Sequence, residues 1–273
     1  MVTTRELMDK ALALAGLDKE PADTGIYLEG KDIKKVLIGV DMETPEILLG
    51  KELGVDVVIS HHPTAGDQII KFHEVMEVQI DKMVEFGIPI NHAQKMIRKR
   101  MKQVELGSHV RNYDRSRSAA KLLDMPYMNI HIPADFITER YIQGHLNEIA
   151  KDRPKAKLKD VLEGLNLIEE YQNTEGKPVI RVGGPEDYAG KIAVLMAGGT
   201  NGGEDVFKAY FQAGVGTIVC MHVPENVKKA VESQGMGNII VAGHMASDSI
   251  GLNKIIELWE KDGVDVTKMS GIV

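Results

Sequence analysis

The sequence predicts an α/β fold of two related strand-helix-strand halves, with mixed sheets carrying helices on their faces. Two observations predict it: short β-branched runs alternate with stretches of helical period, and the alternation occurs twice in the same order. A chain of 273 residues that is 43% apolar can bury the core of one large or two small domains.

"TTRELMDKALALAGL" carries apolar residues at helical spacing behind a capping Thr and reads as an opening helix. "KKVLIGVD" reads as a buried strand ending at Asp41. "TPEILLGKELG" follows as a helix, with Pro45 in its first turn and Gly54 past its end. "VDVVIS" is the second strand, "KFHEVMEVQIDKMVEFG" the next helix, and "IPINHA" a third short strand ending at His92. The order then recurs. "GKIAVLMAGGTNGGED" matches "KKVLIGVDMETPE", "GVGTIVCMHVPE" matches "GVDVVISHHPT", and "VESQGMGNIIVAGHMA" matches "VEFGIPINHA", which pairs His61 with His222 and His92 with His244. The expected organisation is a first half at 1–125, a connector or small inserted layer at 126–185, and a second half at 186–273.

The net charge of −7 disfavours a nucleic-acid partner, because neutralising phosphates needs a basic surface. A single cysteine, Cys220, leaves no intrachain disulfide. The first residues show neither a signal-peptide pattern nor a membrane span, so a cytoplasmic protein is expected.

His61 and His62 stand side by side where the second strand runs out. Neighbours inside a strand point to opposite faces, so both serve one site only if the strand is ending, and Pro63 ends it. Ligands of α/β sheets bind at such carboxyl ends, and imidazole is a common neutral metal ligand. Capping of backbone carbonyls is the plainer alternative. A second signal is His244 with Asp248, four residues apart and so on one helical face: a nitrogen and a carboxylate oxygen suited to Zn, Mn, Fe or Ni. An acid in a first helical turn also answers the helix dipole. Asp41 either orients a metal histidine from outside or caps the helix near Thr44. "AGGTNGGED" could cradle an anion or form a tight turn. The basic run "KMIRKRMKQ" could meet a phosphorylated substrate or be a solvated helix face.

"TGIYLEG", "LIGVDMETPE", "VDVVISHHP" and "VAGHMASDSIG" together resemble the Nif-three-like family, dinuclear-metal proteins also described as GTP cyclohydrolase I type 2 homologues. The resemblance covers both ends of the chain and matches the middle weakly. It implies metal ligands at His61, His62, His244 and Asp248, the last an Asp where the family usually has Glu, and includes an aspartate at Asp41. The family's further aspartate sits in an HTNLD-like block. Here "HAQKM" takes that place, retaining His92 but putting Met96 at the acid position, with Asp41, Glu105 and Asp114 as possible replacements. The implied protein is a metal-dependent hydrolase of a small molecule, a nucleotide or other phosphoester, using one or two divalent transition metal ions. His92 or His222 would act as general acid or base. A ring-like homo-oligomer, commonly a hexamer, is implied as well. The alternative is a non-catalytic metal-binding protein with a regulatory or protein-interaction role.

Overall fold

The computed structural model describes residues 2–151 and 153–273. In chain order the helices are α1 (Thr4–Ala15), α2 (Thr44–Leu53), α3 (Gly66–Ile70), α4 (Val78–Glu85), α5 (Ile90–Ser108), α6 (Arg115–Leu123), α7 (Ile132–Ala150), α8 (Leu158–Leu165), α9 (Glu169–Asn173), α10 (Glu204–Gln212), α11 (Glu225–Gln234) and α12 (His244–Lys261). The strands are β1 (Gly25–Leu28), β2 (Lys35–Gly39), β3 (Val57–Ser60), β4 (Tyr127–Asn129), β5 (Val179–Val182), β6 (Lys191–Leu195), β7 (Val215–Cys220), β8 (Asn238–Val241) and β9 (Asp265–Met269). They form two compact units: Met1–Val75 with Val104–Ile137 and Asp248–Ile272, and Met76–Gln103 with Thr138–Ser247 and Val273.

The first unit holds a sheet of order β1-β4-β3-β2-β9, parallel throughout except at β1. Local chemistry sets its helix ends. Thr3 and Glu6 form a capping box at α1, while α2 has Pro45 in its first turn and stops at Gly54, whose φ of 67° a side chain rarely adopts. Leu37, Val58 and Tyr127 of the sheet pack with Met42, Ile47, Ala120 and Met125.

The second unit holds a sheet of order β5-β8-β7-β6, antiparallel only at β5. Helices α10 and α11 follow β6 and β7, and their Val206, Phe207, Phe211, Val227 and Val231 are buried. The order β1-β4-β3-β2 is thus repeated as β5-β8-β7-β6, which establishes the two related halves. Cys220 is buried here, and burial pushes its thiol up to about 12. It is expected to resist alkylation in native protein and to react stoichiometrically in denaturant; rapid native labelling would contradict this burial.

Three expectations change. "IPINHA" is no strand: Ile90 begins α5, with the amides of His92 and Ala93 donating to the Pro89 carbonyl. Pro89 lacks a donor and suits a helix start, and Ala93 and Ile97 then supply a buried helical stripe. The third strand of the first half is instead β4, so the counterpart of the β8 end with its His244 is the β4 end with His131, not His92. The helix expected from Lys71 to Gly87 divides into a 3-10 turn at Phe72–Glu77 and α4. Residues 126–185 hold β4, α7, α8, α9 and β5. Among the described residues no helix is long and apolar enough to cross a membrane.

Candidate metal centre

The centre is built at the carboxyl ends of β3 and β4. In a regular strand only alternate amides face one neighbour, yet the consecutive amides of His61 and His62 donate to Gly39 O and Val40 O of the β2 strand and its extension. The chain is leaving its pleat, which allows adjacent rings on one side, 5.0 Å apart between centroids. The ring of His131, two residues past β4, lies 4.8 Å from that of His61 and 5.5 Å from that of His62.

Each imidazole is anchored through Nδ1. His61 Nδ1 lies 2.9 Å from Ile130 O, which can only accept, so Nδ1 carries a proton and Nε2 is the ring atom left to meet a ligand. His62 Nδ1 pairs with Asp41 Oδ1 at 2.8 Å, and His131 Nδ1 with the buried carboxylate of Asp23. The three Nε2 atoms face two carboxylates. His61 Nε2 is 3.4 Å from Asp135 Oδ1 and 3.7 Å from Asp248 Oδ1; His62 Nε2 is 3.6 Å from Asp248 Oδ2, and His131 Nε2 is 3.7 Å from Asp135 Oδ2.

Burial and charge pull these groups in different directions. Burial lowers the pKa of His62 against the pull of Asp41. Burial also acts downward on His131, but Asp135 and Asp23 outweigh it and raise the ring to about 9. Asp248 is raised well above the usual carboxylate range by burial and by the charge of Asp135. Asp135 ends below that range because His131 and His61 overcome its burial.

This donor set fits a divalent transition metal. Among the described residues, His61, His62 and His131 form one group whose ligand atoms lie within 4.8 Å of one another, and His61, Asp135 and Asp248 form another. His61 Nε2 and Asp135 Oδ1 are buried and make no hydrogen bond. Donors about 2.1 Å from one tetrahedral ion stand roughly 3.4 Å apart, close to the spacings here. Nitrogen and carboxylate oxygen suit Zn, Mn, Fe or Ni, and the Nδ1 anchors are the outer contacts metal histidines usually make.

The structure brings His61, His62, Asp41 and Asp248 of the sequence set together. His244 opens α12 one turn before Asp248, and its ring lies 5.0 Å from that of exposed His222. His92 is exposed on α5, and Met96 lines a cavity of the second unit. His131, Asp135 and Asp23 were not expected. The signal for two of them was present: "HIPAD" follows one strand as "HMASD" follows another, with the same four-residue spacing. Asp135 brings to this cluster a carboxylate of the kind that position 96 does not supply.

No family model and no curated protein matches the chain. Solved structures do. The NIF3 superfamily protein from Sphaerobacter thermophilus is 36% identical, with a TM-score of 0.96 over 99% of this chain and 98% of that one. Reduced HcgD from Methanocaldococcus jannaschii is 16% identical with a TM-score of 0.62, each chain covered to 98%. A Bacillus cereus protein related to NIF3 is 12% identical with a TM-score of 0.54, over 98% of this chain and 96% of that one, and both show the same fold. The identity with the first of these, spread over nearly the whole of both chains, establishes that this chain belongs to the NIF3 superfamily.

Proposed function

We propose that this protein is a metal-dependent hydrolase of a small phosphoester or nucleotide, with one or two divalent transition metal ions held by His61, His62, His131, Asp135 and Asp248. His244, one turn before Asp248, stays in the donor set on the strength of the sequence. The observation that carries the reading is the common orientation of three imidazoles, each fixed through Nδ1 so that Nε2 faces a buried carboxylate.

A divalent ion bound there supplies Lewis-acid activation of water and of a phosphoryl or carbon centre. The chain's own residues prepare for it. Ile130 O and Asp41 hold His61 and His62 in the required tautomer, and Asp23 does so for His131 once that ring gives up a proton. Exposed His92 and His222 are the candidates for proton transfer. Location in the cytoplasm and a ring-like hexamer belong to the same proposal, and sedimentation velocity checks the latter.

Hydrolysis of bis(p-nitrophenyl) phosphate and of nucleoside phosphates is expected to stop on chelation and return on adding Zn or Mn. Fully metal-loaded protein that turns over none of these would instead favour a regulatory metal-binding role.

A further inference from the structure

The carboxylate of Asp41 goes to His62 and not to a helix end, since Glu43 is the N-cap of α2. Its aim needs a cause, because the side chain is 63% exposed and stands on the loop past β2. Holding an exposed side chain in one direction costs entropy, less so where the backbone beneath it is already fixed.

Two serine hydroxyls fix that backbone, one from each strand beside β2. Ser60, the last residue of β3, accepts from Met42 N and donates to Val40 O, both at 3.2 Å. Ser270, one residue past β9, accepts from Asp41 N at 3.3 Å and donates to Asp41 O at 2.8 Å. Together they hold the C=O and the N–H of both peptide units that flank the Asp41 Cα. With both planes held, φ and ψ of Asp41 are set, and with them the direction in which its carboxylate leaves the chain.

The surroundings of Ser270 serve this contact. Its φ is 47°, a left-handed value uncommon for a residue with a side chain. A Cβ at Gly39 would stand 2.8 Å from Ser270 Cβ and 2.9 Å from Met269 O, so the missing side chain there lets the serine close in. Val40 N donates to Ser270 O, which extends the pairing of β2 with β9 to the serine itself. The same turn reaches α12 next to Asp248, where Ser249 Oγ donates to Gly271 O at 3.4 Å.

The second half supplies the comparison. Leu195 of β6 pairs in register with Cys220 of β7 as Gly39 pairs with Ser60, which puts Ala197 at the position of Asp41 and Cys220 at that of Ser60. β6 ends its sheet, and among the described residues no strand takes the place of β9 beside it. Where the acid is absent, both serines are absent too, although the strand order is repeated. A clamp that the fold itself required would recur in both halves; this one accompanies the carboxylate.

We infer that Ser270, together with Ser60, is a positioning residue of the metal centre: it fixes Asp41, and through Asp41 the Nδ1–H tautomer and the direction of the His62 ring. This role rests on the proposed place of His62 among the metal ligands, and it gives β9 a task, to deliver Ser270.

The test uses the full chain with Ser270→Ala and with Ser270→Gly. In chelator-treated protein carrying isotope-labelled histidine, at about pH 8, magnetic resonance should find His62 as the Nδ1–H tautomer in the wild type. Both variants should show a mixture with the Nε2–H form, the His62 signals being identified by their loss in His62→Gln. Cobalt(II) affinity, from competition with a chromophoric chelator, should fall about tenfold in each variant. Asp41→Ala should lose at least as much, and adding Ser270→Ala to it should change nothing further. Glycine accepts the left-handed backbone and alanine does not, so the two variants should differ in melting temperature while their tautomer and affinity changes agree. An unchanged tautomer, unchanged affinity, losses that add to those of Asp41→Ala, or losses that follow the melting temperature would each overturn the proposal. A tautomer that shifts as expected in a protein whose wild type binds no cobalt would support the clamp on His62 and overturn the metal reading alone.

Discussion

Protein purified without added metal is expected to carry close to stoichiometric divalent transition metal, and His61→Ala to lose it. His61 is the shared member of the cluster, its Nε2 facing both Asp135 and Asp248 from a fully buried ring. Removing it takes a ligand from either ion position, so affinity should fall by more than the roughly 10–100-fold typical of an outer contact. Stability should follow. A ligand present at 100 to 1,000 times its Kd stabilises the fold by about 3 to 4 kcal/mol, so chelation should cost about that much in urea unfolding of the wild type. In His61→Ala the chelator should change little. Metal retained by both His61→Ala and Asp135→Asn, or a wild-type curve indifferent to chelator, would remove the centre from consideration.

Asn129→Leu is expected to cost about 3 to 5 kcal/mol and to loosen metal binding as well. Asn129 is fully buried on β4. Its amide nitrogen lies 2.6 Å from Asp23 O and 3.3 Å from His61 O, and its Oδ1 accepts from Tyr27 OH at 2.9 Å. Leucine has similar volume but leaves two carbonyls and a hydroxyl unanswered, each costing about 1–3 kcal/mol when buried. Those carbonyls belong to the residues that ligate from one side and anchor His131 from the other. Metal affinity in Asn129→Leu should therefore drop roughly tenfold or more even where the variant is folded. Equal affinity in folded variant and wild type would show that the amide serves the fold alone.

Much of this was legible in the residues, for identifiable reasons. β2 and β3 are buried on both faces, and "KVLIG" and "VVIS" display that as unbroken apolar runs. Pro63 disclosed the strand end that lets two histidines share a side. β4 was hidden because "YMN" has three residues and no β-branched one. Pro133 then occupies the first turn of α7, a position that tolerates a missing amide but gives no sign in the sequence of the strand just before it. His131 and Asp135 were missed together for that reason. β9 is an edge strand with exposed and half-buried residues only, so "DVTKM" carries no apolar face to reveal it.

The first unit is assembled from three separated stretches, the last running from Asp248 to Ile272 and contributing most of α12 and the strand that pairs with β2. During synthesis the four strands of the second sheet leave the ribosome before Asp248 does. That sheet can therefore close while the first still lacks β9, whose pairing with β2 spans more than two hundred residues of chain. His61, His62, His131 and Asp135 must wait for their second carboxylate until translation passes Asp248. Completion of the donor set is thus a late event in the birth of the molecule, and a nascent chain halted before α12 should present three histidines and one aspartate to the cell without the acid that completes them.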